Sequence, residues 1–172
     1  MANHKQLTLG LLVLMLAGVS MTACSWTNGP AWLDFAGKQA EMMPVDWNTS
    51  YADAVSKANA EDKILMLWFT GSDWCKFCTK LEDEVFHTVK FNEWYADRFV
   101  PVMLDYPKQT TLPPALAEQN ASLKSKYSNL VNSYPTVLFV NTDGKVLGKL
   151  GYQEGGPENW TRQAENIVNL PW

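Results

Sequence analysis

Two cysteines separated by two residues, Cys75 and Cys78, are the side chains of this sequence best suited to chemistry. A thiolate can attack a disulfide, and a second thiol three residues away can then resolve the mixed disulfide intramolecularly. An apolar run at 64–67 and a turn-prone segment at 71–73 precede the pair, and helical spacing at 80–86 follows it. This order predicts a buried strand, a loop and a helix whose first turn carries both cysteines.

Exchange of this kind requires one cysteine to ionise near neutral pH. A free thiol has a pKa of ~8.5, and placement at a helix N-terminus in a Cys-x-x-Cys motif lowers it to ~3.5–7.5. Cys75 is expected at the start of the helix, where unpaired N–H groups and the helix dipole favour a negative charge. Lys76 adds a positive charge beside it.

The N-terminal residues have the pattern of a targeting segment. A short polar stretch with Lys5 precedes an apolar core at 7–19, and the tetrad 21–24 ends in a cysteine. The tetrad resembles a bacterial lipobox, in which the cysteine is lipidated and becomes the first residue of the mature protein. An uncleaved membrane anchor and a buried helix are the alternatives, but the apolar run is shorter than the ~20 residues that a spanning helix needs.

We therefore expect a lipoprotein signal peptide at 1–23, a lipidated Cys24 with a tether through residue 45, and one folded domain at 46–172. Export suits thiol chemistry, because disulfides form and persist outside the reducing cytosol. The expected location is the periplasmic or extracytoplasmic face of a bacterial cell envelope, with the lipid anchor as the membrane contact. Ser25 rather than aspartate follows Cys24, which in Gram-negative lipoproteins favours the outer membrane.

Two other uses of the Cys75–Cys78 pair stay open. A structural bridge across two residues closes a loop too small to constrain the unfolded chain strongly. Structural zinc takes four ligands, whereas His87 is the one histidine beyond the leader and no second cysteine pair exists. The rival to redox exchange is thus copper held by both cysteines and His87, or a non-catalytic binding module. The redox hypothesis itself predicts no metal and no other cofactor.

Composition excludes several other classes of protein. A hydrophobic share of 47% supports a packed core, so the chain is not predicted to be disordered. The formal net charge is −4 and no basic cluster is present, which argues against nucleic acid as a partner.

Periodicity and turn signals predict alternating helices and strands. The expected order is a helix from a Thr49 or Ser50 cap to Asn59, a strand at 63–69, the motif helix to Phe86, a helix at 89–98, a strand at 99–104, a helix at 115–127, strands at 137–140 and 145–150, and a last helix starting at 155–158. The Asp143-Gly144 turn joins the last two strands in an antiparallel hairpin, whereas the first two strands need a crossover. The fold class is therefore α/β, a mixed central sheet with helices on both faces and a C-terminal hairpin plus helix.

Two segments carry a resemblance to a known family. The run Trp74-Cys75-Lys76-Phe77-Cys78 and the run Tyr134-Pro135-Thr136 before a strand are similar to motifs of the thioredoxin superfamily. The chain most resembles exported thioredoxin-like lipoproteins whose active-site loop is Trp-x-x-x-x-x-Trp-Cys-x-x-Cys, and the similarity covers about residues 46–169. It implies a thioredoxin-like fold and a thiol–disulfide oxidoreductase.

The resemblance also implies roles for individual residues. Cys75 would be the attacking cysteine and Cys78 the resolving one, with a redox disulfide between them. Pro135 would be a cis-proline beside the substrate groove, and Tyr134 before it would help to select partners. Trp74 is expected both to face substrate and to pack the loop. The implied partners are protein thiols and disulfides, with an upstream redox partner that resets the pair.

The sequence departs from thioredoxin in two places. Thioredoxin carries a buried aspartate in the strand before the motif, where Leu65-Met66-Leu67 is wholly apolar, and Lys76-Phe77 replaces Gly-Pro. The proton acceptor for Cys78 is therefore unassigned, with Glu82 as a weak candidate, and the direction of the reaction is not determined by the sequence.

Overall fold

The computed structural model describes residues 44–168, so the predictions for the leader, for lipidation of Cys24 and for residues 24–43 of the tether lie outside the described residues. Four strands form one sheet in the order β2-β1-β3-β4: β1 (Ile64–Thr70), β2 (Phe99–Asp105), β3 (Thr136–Val140) and β4 (Val146–Leu150). Strand β1 is parallel to β2 and antiparallel to β3, and β3 and β4 form an antiparallel hairpin. The predicted mixed sheet is confirmed.

Helices cover both faces of the sheet, as predicted. The α-helices of the described range are α1 (Tyr51–Glu61), α2 (Lys76–Leu81), α3 (Val89–Ala96), α4 (Pro114–Lys126) and α5 (Gly156–Val168). Helices α2, α3 and α5 pack on one face, and α1 and α4 pack on the other. Ser50 caps α1, because its side chain accepts the Asp53 N–H at 3.3 Å. Within residues 44–168, no helix combines the length and apolar character needed to cross a bilayer.

Strand β1 divides the core into two layers. Its residues from Leu65 to Thr70 are all buried, as expected for a central strand with helices on both faces. Met66 and Trp68 face the layer of α2, α3 and α5, whereas the alternate side chains face α1 and α4. Trp94 and Trp160 are buried in the first layer.

The helix that carries the cysteine motif changes type after α2. Residues Glu82–Phe86 form a π-helical turn in which the His87 N–H donates to the Glu82 carbonyl at 2.9 Å. The sequence predicted one continuous helix to Phe86, so its extent is confirmed but the change of type was not predicted. The turn places Phe86 in the core, where its ring contacts Trp68 and Trp160.

The lead-in at 46–48 pairs with the edge of the sheet. Asn48 forms a single parallel bridge with Val102 of β2. Its N–H donates to the Pro101 carbonyl at 3.0 Å, and its carbonyl accepts the Met103 N–H at 2.9 Å. The segment that leads into α1 therefore adds one parallel bridge to the edge of the sheet.

Candidate active site

The two cysteines lie at the start of α2, after the loop that follows β1. Cys75 is the N-cap residue of α2, and Cys78 lies in its first turn. A disulfide joins their sulfur atoms, with the Cα atoms 5.2 Å apart. The Cys78 N–H donates to Cys75 Sγ at 3.2 Å. After reduction, this N–H and the helix dipole would stabilise negative charge on the Cys75 sulfur.

The cysteines differ in their access to solvent. Cys75 is 7% exposed and Cys78 is 2% exposed, so Cys75 is the more accessible of the two.

A groove beside the disulfide runs along the residue pair Tyr134-Pro135, whose peptide bond is cis. This groove, which we call the proline groove, has a volume of about 250 Å³ and is lined by Phe77, Ser133, Tyr134, Pro135, Gly151 and Tyr152. The Tyr152 hydroxyl donates to Glu84 Oε2 at 2.6 Å, and this hydrogen bond is the main cause that raises the pKa of Tyr152 to about 12. Phe77 is 57% exposed and gives the groove an apolar lip.

Trp74, which precedes Cys75, makes several contacts within the protein and remains partly exposed to solvent. Its Nε1–H donates to the Tyr106 carbonyl at 2.8 Å, and the Lys108 ammonium lies 3.9 Å from its ring centroid. The Tyr134 ring meets it in an edge-to-face contact at 5.3 Å. Trp74 is still 36% exposed, so the ring both packs the loop and remains accessible beside Cys75.

Asp73 fastens this loop to the segment after β2. Its carboxylate accepts the backbone N–H groups of Lys108 at 2.9 Å, Gln109 at 2.7 Å and Thr110 at 3.1 Å. These hydrogen bonds, with that of Lys108 the largest, hold the Asp73 pKa below its usual range. We call this set of contacts the Asp73 latch. The sequence alone does not indicate these contacts, because the three donors lie 35 or more residues from Asp73.

A second acid supports the same loop. Asp105, the last residue of β2, accepts the Ser72 N–H at 2.9 Å and the Ser72 hydroxyl at 2.6 Å. Together with the Asp73 latch, this contact fixes residues 71–75, which we call the redox loop, against the end of the parallel strand pair.

Glu82 is the acid that follows Cys78 by one turn, and its N–H donates to the Cys78 carbonyl. Burial raises the pKa of the Glu82 carboxyl, while His87 acts in the opposite direction and Asp83 and Asp105 raise it further. The His87 ring lies 3.6 Å from Glu82 and 3.7 Å from Asp83, at the end of the π-helical turn. Across residues 44–168, no three His, Cys, Asp or Glu side chains are grouped closely enough to hold a metal ion.

This fold and this site agree with comparisons to known proteins. Residues 51–164 match the family model of the thioredoxin-like domain, and the chain belongs to that family. It is 29% identical over 121 residues to the disulfide bond reductase DsbH of Chlamydia pneumoniae, covering 70% of this chain and 72% of that protein. It is 26% identical over 116 residues to the thioredoxin-related protein DsbJ of Chlamydia pneumoniae, covering 67% of this chain and 33% of that protein.

A solved structure extends the likeness to three dimensions. The structure titled DsbH Oxidoreductase superposes with a TM-score of 0.70 at 27% identity, covering 76% of this chain and 89% of that chain. The family, the fold and the Cys75–Cys78 disulfide define a thiol–disulfide oxidoreductase, as the sequence predicted.

Proposed function

We propose that the protein reduces disulfides in protein substrates on the extracytoplasmic side of a bacterial membrane, with Cys75 as nucleophile and Cys78 as resolving cysteine. The observation that carries the proposal is the disulfide at the start of α2, whose more exposed cysteine, Cys75, follows Trp74 in a site that also holds the cis Tyr134–Pro135 bond. The direction, reduction, is supported by the similarity to a protein named as a disulfide bond reductase.

The reaction needs only the two cysteines and a source of thiols. The Cys75 thiolate attacks one sulfur of the substrate disulfide, which releases one substrate thiolate and forms a mixed disulfide. Cys78 then loses its proton and attacks Cys75 Sγ, which releases the second substrate thiolate. Two electrons pass to the substrate, the Cys75–Cys78 disulfide forms, and an upstream dithiol partner reduces it again.

The surroundings of Cys75 assist both steps. The Cys78 N–H at 3.2 Å stabilises charge on the Cys75 sulfur during attack and departure. The short spacing between the cysteines keeps the second step intramolecular, so a mixed disulfide is short-lived. The proline groove supports the substrate backbone next to the reacting sulfur.

Single-cysteine variants test the assignment of roles. We predict that Cys75→Ser abolishes reduction of a protein disulfide, whereas Cys78→Ser accumulates a mixed disulfide through Cys75. Non-reducing gels and mass spectrometry of the trapped species distinguish the two outcomes, with circular dichroism as the check of folding. Activity retained by the Cys75 variant would contradict the proposal.

The anchoring of the protein rests on the leader pattern. A lipidated Cys24 would hold the domain at the membrane surface, because two or more acyl chains give stable binding where one does not. Ser25 after that cysteine supports the outer membrane in a Gram-negative cell.

A further inference from the structure

A second cavity lies on the α4 side of the redox loop, away from the proline groove. It is formed between the segment that follows β2 and helix α4, and its volume is about 590 Å³. Residues that line it include Tyr106, Leu112, Ala117, Asn120, Ala121 and Lys124. We call it the α4 cavity.

A chain of aromatic contacts connects the α4 cavity to the redox site. The Tyr106 ring lies 5.8 Å from the Tyr134 ring, and the Tyr134 ring lies 5.3 Å from that of Trp74, next to Cys75. Tyr134 also lines the proline groove. The Tyr134 ring therefore lies between the proline groove and Tyr106 of the α4 cavity, and a polypeptide bound along the groove reaches the cavity by passing over this ring.

The lining of the α4 cavity indicates an apolar occupant. Leu112, Ala117 and Ala121 present apolar side chains. Two polar residues of the lining are already paired within the protein, because the Asn120 amide donates to the Asp105 carbonyl at 2.9 Å and the Tyr106 hydroxyl donates to the Asn120 carbonyl at 2.7 Å. An apolar side chain in the cavity would leave both hydrogen bonds in place.

The rim of the cavity carries positive charge. The Lys124 ammonium lies 5.0 Å from the Tyr106 ring centroid and 5.2 Å from that of Tyr134. The carboxylate of Asp105, which also lines the cavity, accepts two hydrogen bonds from Ser72. Lys124 is the cationic residue of the lining, so its ammonium is the partner that the cavity offers to a carboxylate.

We propose that the α4 cavity is a specificity site for the protein substrate and binds a segment near the substrate disulfide that carries a large apolar side chain beside an acidic one. The apolar side chain fills the cavity and the carboxylate pairs with Lys124. This inference rests on the proposed function, since it assigns a substrate class to the same redox site.

The experiment compares two disulfide peptides that differ in the residues next to the reacting cysteine, Leu-Glu in one and Gly-Lys in the other. The full-length chain in detergent is assayed, and the quantity measured is the ratio of kcat/KM for the Leu-Glu peptide to that for the Gly-Lys peptide. Ala121→Trp fills the cavity and Lys124→Glu reverses the rim charge. Matched controls on the same helix are Ser122→Trp and Lys126→Glu, whose parent residues do not line the cavity.

We expect the ratio to fall about tenfold in the Ala121 and Lys124 variants, the loss expected when one pocket contact or one charge pair is removed. The two controls should keep the wild-type ratio. An unchanged ratio in both cavity variants, with normal exchange by the wild type, would overturn the cavity proposal and leave the proposed function standing.

A binding measurement separates the two hypotheses when exchange fails. A Leu-Glu peptide with serine in place of both cysteines cannot exchange, so its fluorescence anisotropy reports binding without the redox reaction, and the cavity's share of that binding is measured by the Ala121→Trp variant. Binding that weakens about tenfold in Ala121→Trp supports the cavity even if the wild type reduces no disulfide. Absence of binding to the wild type overturns the cavity proposal.

Discussion

We propose Glu82 as the residue that accepts the proton of Cys78. It follows Cys78 by one helical turn, and burial raises its pKa. A carboxyl whose pKa is raised toward the working pH is a better general base than an ordinary solvated one. Sequence reasoning named this residue only as a weak candidate, because desolvation of its carboxyl depends on the packing of the π-helical turn.

We predict that Glu82→Gln slows resolution of the mixed disulfide by about tenfold to a hundredfold at pH 7, since general base catalysis contributes that much or more. In the wild type, the rate of resolution should rise as pH increases through the raised pKa of Glu82, and the variant should lack this step. Single-turnover kinetics over pH 4 to 8 measure it. Asp83→Asn is the matched control, and equal pH profiles for both variants would exclude Glu82 as the acceptor.

The Asp73 latch predicts an acid titration of the neighbouring loop. The Asp73 pKa is lowered in the folded protein, so its stabilising contacts are fully present above the usual aspartate pKa of ~3.9 and are lost as pH falls through the lower folded-state value. The amide N–H signals of Lys108, Gln109 and Thr110 should therefore shift together below that pH in NMR spectra. In Asp73→Asn they should not titrate, and independent titration of the three amides would rule the latch out.

At the scale of the elements, the order of helices and strands followed from the sequence because each one carries a local signal. The apolar run of β1, the cap at Ser50 and the Asp143-Gly144 turn need no tertiary information. The π-helical turn was missed, because an i→i+5 hydrogen bond has no residue pattern of its own. The α4 cavity was missed too, because it exists only once Tyr106 and Lys124 come together from different elements.

The redox loop depends on a close approach that only glycine permits. A Cβ atom on Gly71 would overlap the indole of Trp74. We predict that Gly71→Ala displaces Trp74 from the Tyr106 carbonyl and lowers kcat/KM for a protein disulfide by about tenfold, in addition to destabilising the fold by about 1–3 kcal/mol. Exchange kinetics and thermal unfolding measure the two effects.

A second glycine supplies the control. A Cβ on Gly148 would overlap Ile167, so Gly148→Ala strains the packing of β4 against α5 instead of the redox loop. It should lower the melting temperature without changing kcat/KM. If both glycine variants slow exchange equally, the position of Trp74 does not govern the rate.

At the scale of the whole molecule, the parts of the candidate active site lie at one end of the sheet. Thr70 at the end of β1 pairs with Asp105 at the end of β2, and Phe69 pairs with Thr136 at the start of β3. The redox loop, the Asp73 latch and the cis peptide bond all adjoin these strand ends.

The anchor is tested on the intact protein in its host cell. We predict that Cys24→Ala abolishes incorporation of labelled fatty acid and moves the protein from the membrane fraction to the soluble extracytoplasmic fraction. Cys75→Ser is the matched control for loss of a cysteine and should still be labelled. Labelling of the Cys24 variant would contradict lipidation at this residue.

The Asn48 bridge has a consequence for how copies of the protein behave when they are crowded. An exposed sheet edge is a template for strand addition by another chain, and β2 and β4 are the two edges of this sheet. On β2, Asn48 occupies two backbone groups that would otherwise be open to a neighbour, and Pro101 offers no donor. On β4, a register shift opposite Phe139/Val140 and the charge of Lys149 interrupt a regular ladder. Both edges therefore carry features that disfavour strand addition by another chain.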